Sequence, residues 1–499
     1  MIISGSYVRG INLTAVSSSA PPPVPPVPEP TAFWINTAKN DTGNQWVTSY
    51  RLALGQSVKD ANGNVYSIAS YSNLSNSYLG WTRIDSTGNL VGGFNLYAAP
   101  NNAFNPSASG NGTFVGGGID NDSNGNLFIT AKFAQDVSLL KLNSDGNIIY
   151  AKRYVNSNTN TPFTCKLDSA EANIYITSDT RTPNNIQQFT VFKISASTGN
   201  IIWQKSANVP GQTTNSQGIA RGIEIDAQGN VFVCGQIRVP ARGTLQNLYL
   251  TKITPEADVI WQRYYTANVS VSSFTENAVQ LAINPTTGNL AMGGIRNSAF
   301  QGLLIDQHTG NIIWQTCETP GGTTGNTVLT TGGFSTPRKP AWDNAGNVWF
   351  PTAGATIFKL NGATGNIELQ RYLQYEYYRE LNANIEGTTG MSYWNVLFNN
   401  DYSGFTVMGG TSIALGNLLI ARLPANGAGT GNYMAAASFG TPNAGTLGYV
   451  VSANTFGAGN LISFTANHVW YDTAVTTQDI SNIGRQTGNL TFTKNIISP

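Results

Sequence analysis

Residues Phe192 to Gln204 read F-K-I-S-A-S-T-G-N-I-I-W-Q. Two short apolar runs flank S-T-G-N. Gly199 can take the positive φ that a tight hairpin requires, and Asn200 follows it. Lys193-Ile194 therefore ends one strand, and Ile201-Ile202-Trp203 begins the next.

The pattern recurs. One kind of turn opens a strand of the type N-V-Y or N-V-F. It carries Gly63, Gly125, Gly229, Gly288, Gly346 and Gly404, with Ala172 in the third copy, at intervals of about 47 to 62 residues. A second kind follows a basic-apolar pair. It carries Gly88, Gly146, Gly199, Gly310 and Gly365, with Ala257 in the fourth copy. The pairs run from Arg83-Ile84 to Arg422-Leu423. Each unit holds four β-like runs, as in G-I-E-I-D, N-V-F-V-C-G, L-Y-L-T-K-I and V-I-W-Q-R-Y-Y. Four-stranded units at this period predict a seven-bladed β-propeller of antiparallel blades, an all-β fold. Tyr150, Trp203, Trp261 and Trp314 hold one place in the repeat and are expected to pack between blades.

Four segments are expected: an N-terminal β arm (1–20), a proline-rich spacer (21–33), the propeller (34–440) and a C-terminal β-rich extension (441–499). Gly43-Asn44-Gln45-Trp46 and the following V-T-S-Y-R-L read as an outer strand without inner partners, suited to closing the seventh blade. Tyr433 to Phe439, Y-M-A-A-A-S-F, competes for that place. An irregular eighth blade over 441–475 is the alternative count. The last stretch, T-T-Q-D-I-S-N-I-G-R-Q-T-G-N-L-T-F-T, reads as a further hairpin that packs on the ring or mediates self-association into a homo-oligomer.

Of the 499 residues, 11% are charged, against about 25% in a typical globular protein. The formal net charge of +1 gives no reason to expect nucleic acid or an anionic membrane as partner. No apolar run is long enough for a membrane-spanning helix. Residues 1–16 show neither a basic leader nor a continuous apolar core, so no secretory signal is expected. Pro21 to Pro30 forms a stiff spacer of roughly 31 Å. Cys165, Cys234 and Cys317 make neither a disulfide framework nor a zinc pair. Cys234 reads as core, and His308 as an exposed turn residue. Asp85, Asp120, Asp226, Asp306 and Asp343 precede hairpins and read as turn caps. No nucleophile, metalloprotease or Walker motif occurs. No catalytic residue, cofactor or metal site is expected.

Ile194 to Trp203 and Ile305 to Trp314 (I-D-Q-H-T-G-N-I-I-W) resemble the repeat of pyrroloquinoline-quinone-type propellers. Asp226 to Gly235 (D-A-Q-G-N-V-F-V-C-G) resembles the second-strand motif of bacterial β-propeller repeats. The likeness spans about residues 40–440 and implies fold rather than function. Quinoprotein enzymes of this type use adjacent cysteines and carboxylate–calcium ligands, and this chain has no adjacent cysteine pair. The layout of β arm, proline spacer and Asn/Thr/Gly-rich body is similar to tailed-phage virion appendages.

Both short turns of a blade lie at one end of the ring, so the long connections gather at the other. Irregular loops on a rigid scaffold are where binding usually resides. The longest connection carries Tyr375, Tyr377, Tyr378 and Arg379. Arg181, Arg238 and Arg242 belong to others. These seven are the candidate contacts to a host glycan or protein. The leading expectation is a non-enzymatic structural protein of the virion, tail- or capsid-associated, docked to other virion proteins through residues 1–20. A quinoprotein-like or sugar-cleaving enzyme and a secreted bacterial adhesin or lectin are the alternatives.

Overall fold

The computed structural model describes residues 33–40, the blade strands and their short turns between 56 and 426, and the strands of 431–497. Seven sheets form a β-propeller. Every described element is a strand or a turn, with no helix among them.

Blade 3 shows the plan. Its strands span Thr159–Leu167, Asn173–Arg181, Gln187–Ser195 and Ile201–Asn208, each antiparallel to the one before. Blade 4 repeats it with Gly218–Ile225, Val231–Arg238, Gln246–Ile253 and Val259–Ala267. Second strands are buried almost without a break, as residues 174–180 and 231–237 are, because both blade faces are covered. The pleat then divides the side chains between neighbours. Val231 and Val233 join a cluster with Tyr175, Phe189 and Val191 of blade 3. Phe232 and Cys234 join one with Leu281, Leu290 and Met292 of blade 5. The core is thus a set of layers between blades.

Turn chemistry explains the Gly-Asn signature. In the first turn of blade 4, Asp226 Oδ1 accepts the N–H groups of Gln228 and Asn230, and Oδ2 accepts Nδ2 of Asn230 at 2.9 Å. Gly229 between them has φ 83°. The glycine supplies the left-handed backbone, and the asparagine ties it to the aspartate. Asp60, Asp85, Asp122, Asp168 and Asp343 bind their asparagines in the same way. Three turns carry the left-handed residue without glycine, at Glu171, Ala257 and Tyr402. The expected Ala172 and Gly404 are thus displaced by one and two residues. Asn173 still reaches Asp168 in the longer turn, and Gly404 begins a strand.

Blade 7 closes the ring. It takes Met391–Phe398, Gly404–Thr411 and Leu418–Pro424 from the late chain and Phe33–Asn40 from its start. Residues 43–52, expected in that role, lie outside the described residues. The reason for the difference is topological. No turn links the third and fourth strands of this blade, so its fourth strand needs no Gly-Asn before it. Lys59 Nζ of blade 1 donates to the Phe398 carbonyl at 2.5 Å, and Arg422 Nη1 donates to the Ser86 carbonyl at 2.9 Å.

The C-terminal chain is a belt rather than an eighth blade. Thr446–Val451 adds a fifth strand to blade 6, Phe456–Ala458 to blade 5, Leu461–Thr465 to blade 4 and Val469–Asp472 to blade 3. Thr476–Asp479 continues on blade 2, Ile483–Thr487 on blade 1, and Leu490–Ile497 on blade 7. The expected final hairpin is therefore absent, since its strands pair with three different blades. Of Tyr433 to Phe439, the other candidate for closure, Tyr433 and Met434 belong to Gly431–Met434, which lies outside the belt strand of blade 6, and 435–439 lie outside the described residues. Twist makes the belt feasible. At roughly 20–25° per strand pair, the fifth strand is turned about 80–100° from the first. It runs nearly along the circumference, so links of two to four residues carry the chain from blade to blade.

Candidate functional site

The short-turn end is chemically saturated. Tyr150 Oη donates to the Ala196 carbonyl at 3.1 Å. At the same place in later blades, indole N–H groups donate from Trp203 to Pro255, Trp261 to Gln307 and Trp314 to Gly362. Each ring lies on the outer turn of the next blade, as expected for packing residues. Gly310 shows why that turn needs glycine twice over. Its φ is 72°, and a Cβ there would come within 2.9 Å of the Trp261 ring. Lysines of the basic-apolar pairs are engaged at this end as well. Lys193 Nζ donates to the Pro255 carbonyl at 3.0 Å, and Lys252 lies over the Phe232 ring while pairing with Asp226 at 3.1 Å.

A cleft of about 410 Å³ opens at this end, between the turns of blades 1 and 2. Its groups are already engaged. Asp60 accepts from Asn64 and Tyr66, Asp122 pairs with Lys141, Arg83 donates to Ser144, and Glu171 holds Ser123. The cleft therefore reads as a seam between turns.

The central channel is lined by the first strands and holds charges that the sequence reading missed. Asp120 was expected to cap a turn, but Asp122 does so. Two residues earlier, Asp120 falls on the strand, where it accepts the Leu167 N–H at 2.8 Å and pairs with Lys166 at 3.2 Å. Glu224 pairs with Lys339 at 2.9 Å. Blades 4 and 6, which carry them, are not neighbours, so this pair spans the inner edge of blade 5. Gln56 of blade 1 and Thr164 of blade 3 make a similar span over blade 2 at 2.8 Å. Asp120, Lys166, Glu224 and Lys339 form an alternating series of neutral sum. Their signal in the sequence is position: three of them stand two residues before a turn's capping acid.

The channel strands of blades 2, 3, 4, 5 and 7 also slip register once, for example at Ala220/Gly222 in blade 4 and Pro162/Thr164 in blade 3. Such bulges re-aim a side chain. Arg221 is the slipped residue of blade 4, and its guanidinium lies 5.1 Å from the centre of the Phe163 ring.

The long-connection end differs from expectation in detail. Arg181 is exposed and ends a strand, paired with Thr159 and Gln187. Arg238 likewise ends a strand, paired with Gln246. Tyr375 lies within the outer strand Ile367–Glu376 of blade 6, opposite Leu447 of the belt, and so not in a loop. The belt ladder extends that strand beyond where the repeat alone would end it. Tyr377, Tyr378, Arg379 and Arg242 lie outside the described residues.

Among the described residues no group of His, Cys, Asp and Glu is placed to hold a metal ion. Burial pushes the Cys234 thiol up to about 12 and raises that of Cys165 further, so neither is a thiolate near neutrality. His308 is exposed on its turn.

No protein-family model matches the chain, and no curated protein matches it. Solved propellers do. BamB from Moraxella catarrhalis is 14% identical, with a TM-score of 0.38, over 76% of this chain and 100% of that one. The WD40 repeats of RRP9 are 9% identical, with a TM-score of 0.46, over 78% and 99%. The Myceliophthora thermophila Cps50 (Swd1) propeller is 9% identical, with a TM-score of 0.41, over 76% and 98%.

Proposed function

We propose that the chain is a non-enzymatic structural protein, a propeller appendage of a tailed-phage particle held by its N-terminal arm. The observation that carries this reading is the seating of Phe33–Asn40. That strand is paired on one side with Leu418–Pro424 and on the other with Leu490–Ile497. Whatever precedes residue 33 is thus joined to the ring by a strand hydrogen-bonded along both edges. In sequence, a proline-rich spacer stands between that strand and residues 1–20, which suits an arm that docks by adding a strand to a partner. The body serves as the displayed part. Its long-connection end is the contact surface for a host glycan or protein, with Arg181, Arg238, Arg242, Tyr375, Tyr377, Tyr378 and Arg379 as candidate contacts.

Deleting residues 1–20 tests the anchoring. The truncated chain should keep the unfolding temperature of the full chain but be missing from purified particles, as read by quantitative mass spectrometry. Normal incorporation of the truncated chain, or absence of the full chain from particles, overturns the reading.

A further inference from the structure

In blades 3, 4 and 5 the channel strand places its irregular residue five positions before the capping acid or amide of the first turn. These residues are Phe163, Arg221 and Val279, where the register slips. In blade 6 the same distance before Asp343 is Arg338, whose N–H donates to the Pro351 carbonyl at 2.7 Å. Two of these positions therefore carry guanidinium groups, on blades 4 and 6, with Val279 of blade 5 between them in sequence order.

Both arginines lack a full set of partners. Nε of Arg221 and Nε of Arg338 are buried without a hydrogen-bond acceptor among the described residues. Arg338 is 9% exposed. Burial, and the neighbouring positive charge of Arg221, lower its pKa to about 10. A buried cation is normally matched by an anion, because removing it from water costs several kcal/mol. Here the nearby carboxylates are committed. Glu224 is held by Lys339 and Asp120 by Lys166. Asp179 acts on Arg221 but also on Arg181 and Lys132, and it accepts Nε2 of Gln187 at 2.8 Å. The connections 99–115, 182–186, 209–217, 239–245, 268–275 and 319–337 contain no Asp or Glu. The connection 377–390, which leaves blade 6, does carry Glu380 and Glu386.

We propose that Arg221 and Arg338 form an oxyanion site in the channel between blades 4 and 6, taking a small molecule that bears a carboxylate or phosphate group. A guanidinium presents a planar fork of donors that matches both groups. The Phe163 ring beneath Arg221 holds one fork in place without neutralising it. This site is independent of the anchoring arm.

The test uses the full chain dialysed into chloride buffer and titrated with inorganic phosphate, and in parallel with acetate, at constant ionic strength. At least one anion should raise the unfolding temperature by several degrees in a saturable way, and calorimetry should fit one site per chain. Arg338→Met and Arg221→Met should each abolish this response. Arg338→Met should also unfold at a higher temperature than the parent in chloride, because an unmatched buried charge is gone. Arg338→Lys, which keeps the charge but loses the fork, should bind at least ten-fold more weakly. A parent chain indifferent to both anions overturns the proposal. So does a response that survives in both methionine variants, or an Arg338→Met chain less stable than the parent in chloride.

Discussion

The fourth and fifth strands of a blade make similar antiparallel ladders, yet they reach their places by different means. Ile201–Asn208 is delivered by a local device, the turn at Gly199, and fastened by the Trp203 indole to blade 4. Val469–Asp472, which pairs with it, arrives from a chain segment more than 250 residues later, with no turn joining the two. The same dipeptide even changes meaning between them. Gly-Asn at 199–200 closes a hairpin, whereas Gly-Asn at 488–489 stands between strands that pair with blades 1 and 7. The ring is specified by turn chemistry close in sequence. The belt is specified by the edges the finished ring presents.

Cutting the chain after residue 440 separates the two most severely. Six blades then end on an uncovered fourth strand, and Phe33–Asn40 loses one of its two ladders. Open edges recruit other chains. The truncated protein should form large oligomers by light scattering and unfold more than 10 °C below the parent, the effect of roughly 10 kcal/mol in a chain of this length. A monomer with unchanged unfolding would make the belt dispensable.

Within the ring, Trp261→Ala should destabilise by about 3–5 kcal/mol in urea unfolding. The indole is 6% exposed and donates to Gln307 of the next blade at 3.1 Å. A loss below 1 kcal/mol would show that the apolar layers alone hold neighbouring blades in place.

Ala257→Gly is the gentlest probe and should stabilise the protein. Ala257 has φ 72° where the repeat prefers glycine. Relief of the left-handed strain, less the added freedom of an unfolded glycine, leaves a gain of roughly 0.5–1 kcal/mol. Loss of stability on this change would mean that Ala257, buried between blades 3 and 4, contributes more by packing than it costs by strain.

The legible parts of the sequence were those written locally. Asp226 with Gly229 and Asn230, the pair Lys252-Ile253, and Trp261 after the second turn each recur in the same order from unit to unit, so blade number and strand order could be read without coordinates. Closure by Phe33–Asn40 was misplaced because a strand joined to its blade only through space carries no turn signal. Asp120 was misread because two aspartates two residues apart look alike until the pleat gives one the turn and the other the channel. Arg221 and Arg338 stayed hidden because their place on the channel strand is marked only by its distance from the next turn. The belt had strand-like composition but no partner in view.

The direction of the belt also orders events during synthesis. Blades 1 to 6 can each pair their four strands as they emerge, but the belt begins only after blade 7. It then covers blade 6 first and works back toward the oldest blade. The outer strand Leu90–Ala98 of blade 1 is complete almost 400 residues before Ile483–Thr487 exists to cover it. At translation rates of about 5–20 residues per second, that edge stays open for roughly 20–80 s. Blade 5 waits for less than half as long. The blade completed first is thus protected next to last, and its uncharged Phe94-Asn95-Leu96-Tyr97-Ala98 edge, which Ile483–Thr487 later covers, is where a nascent chain would most readily find a wrong partner.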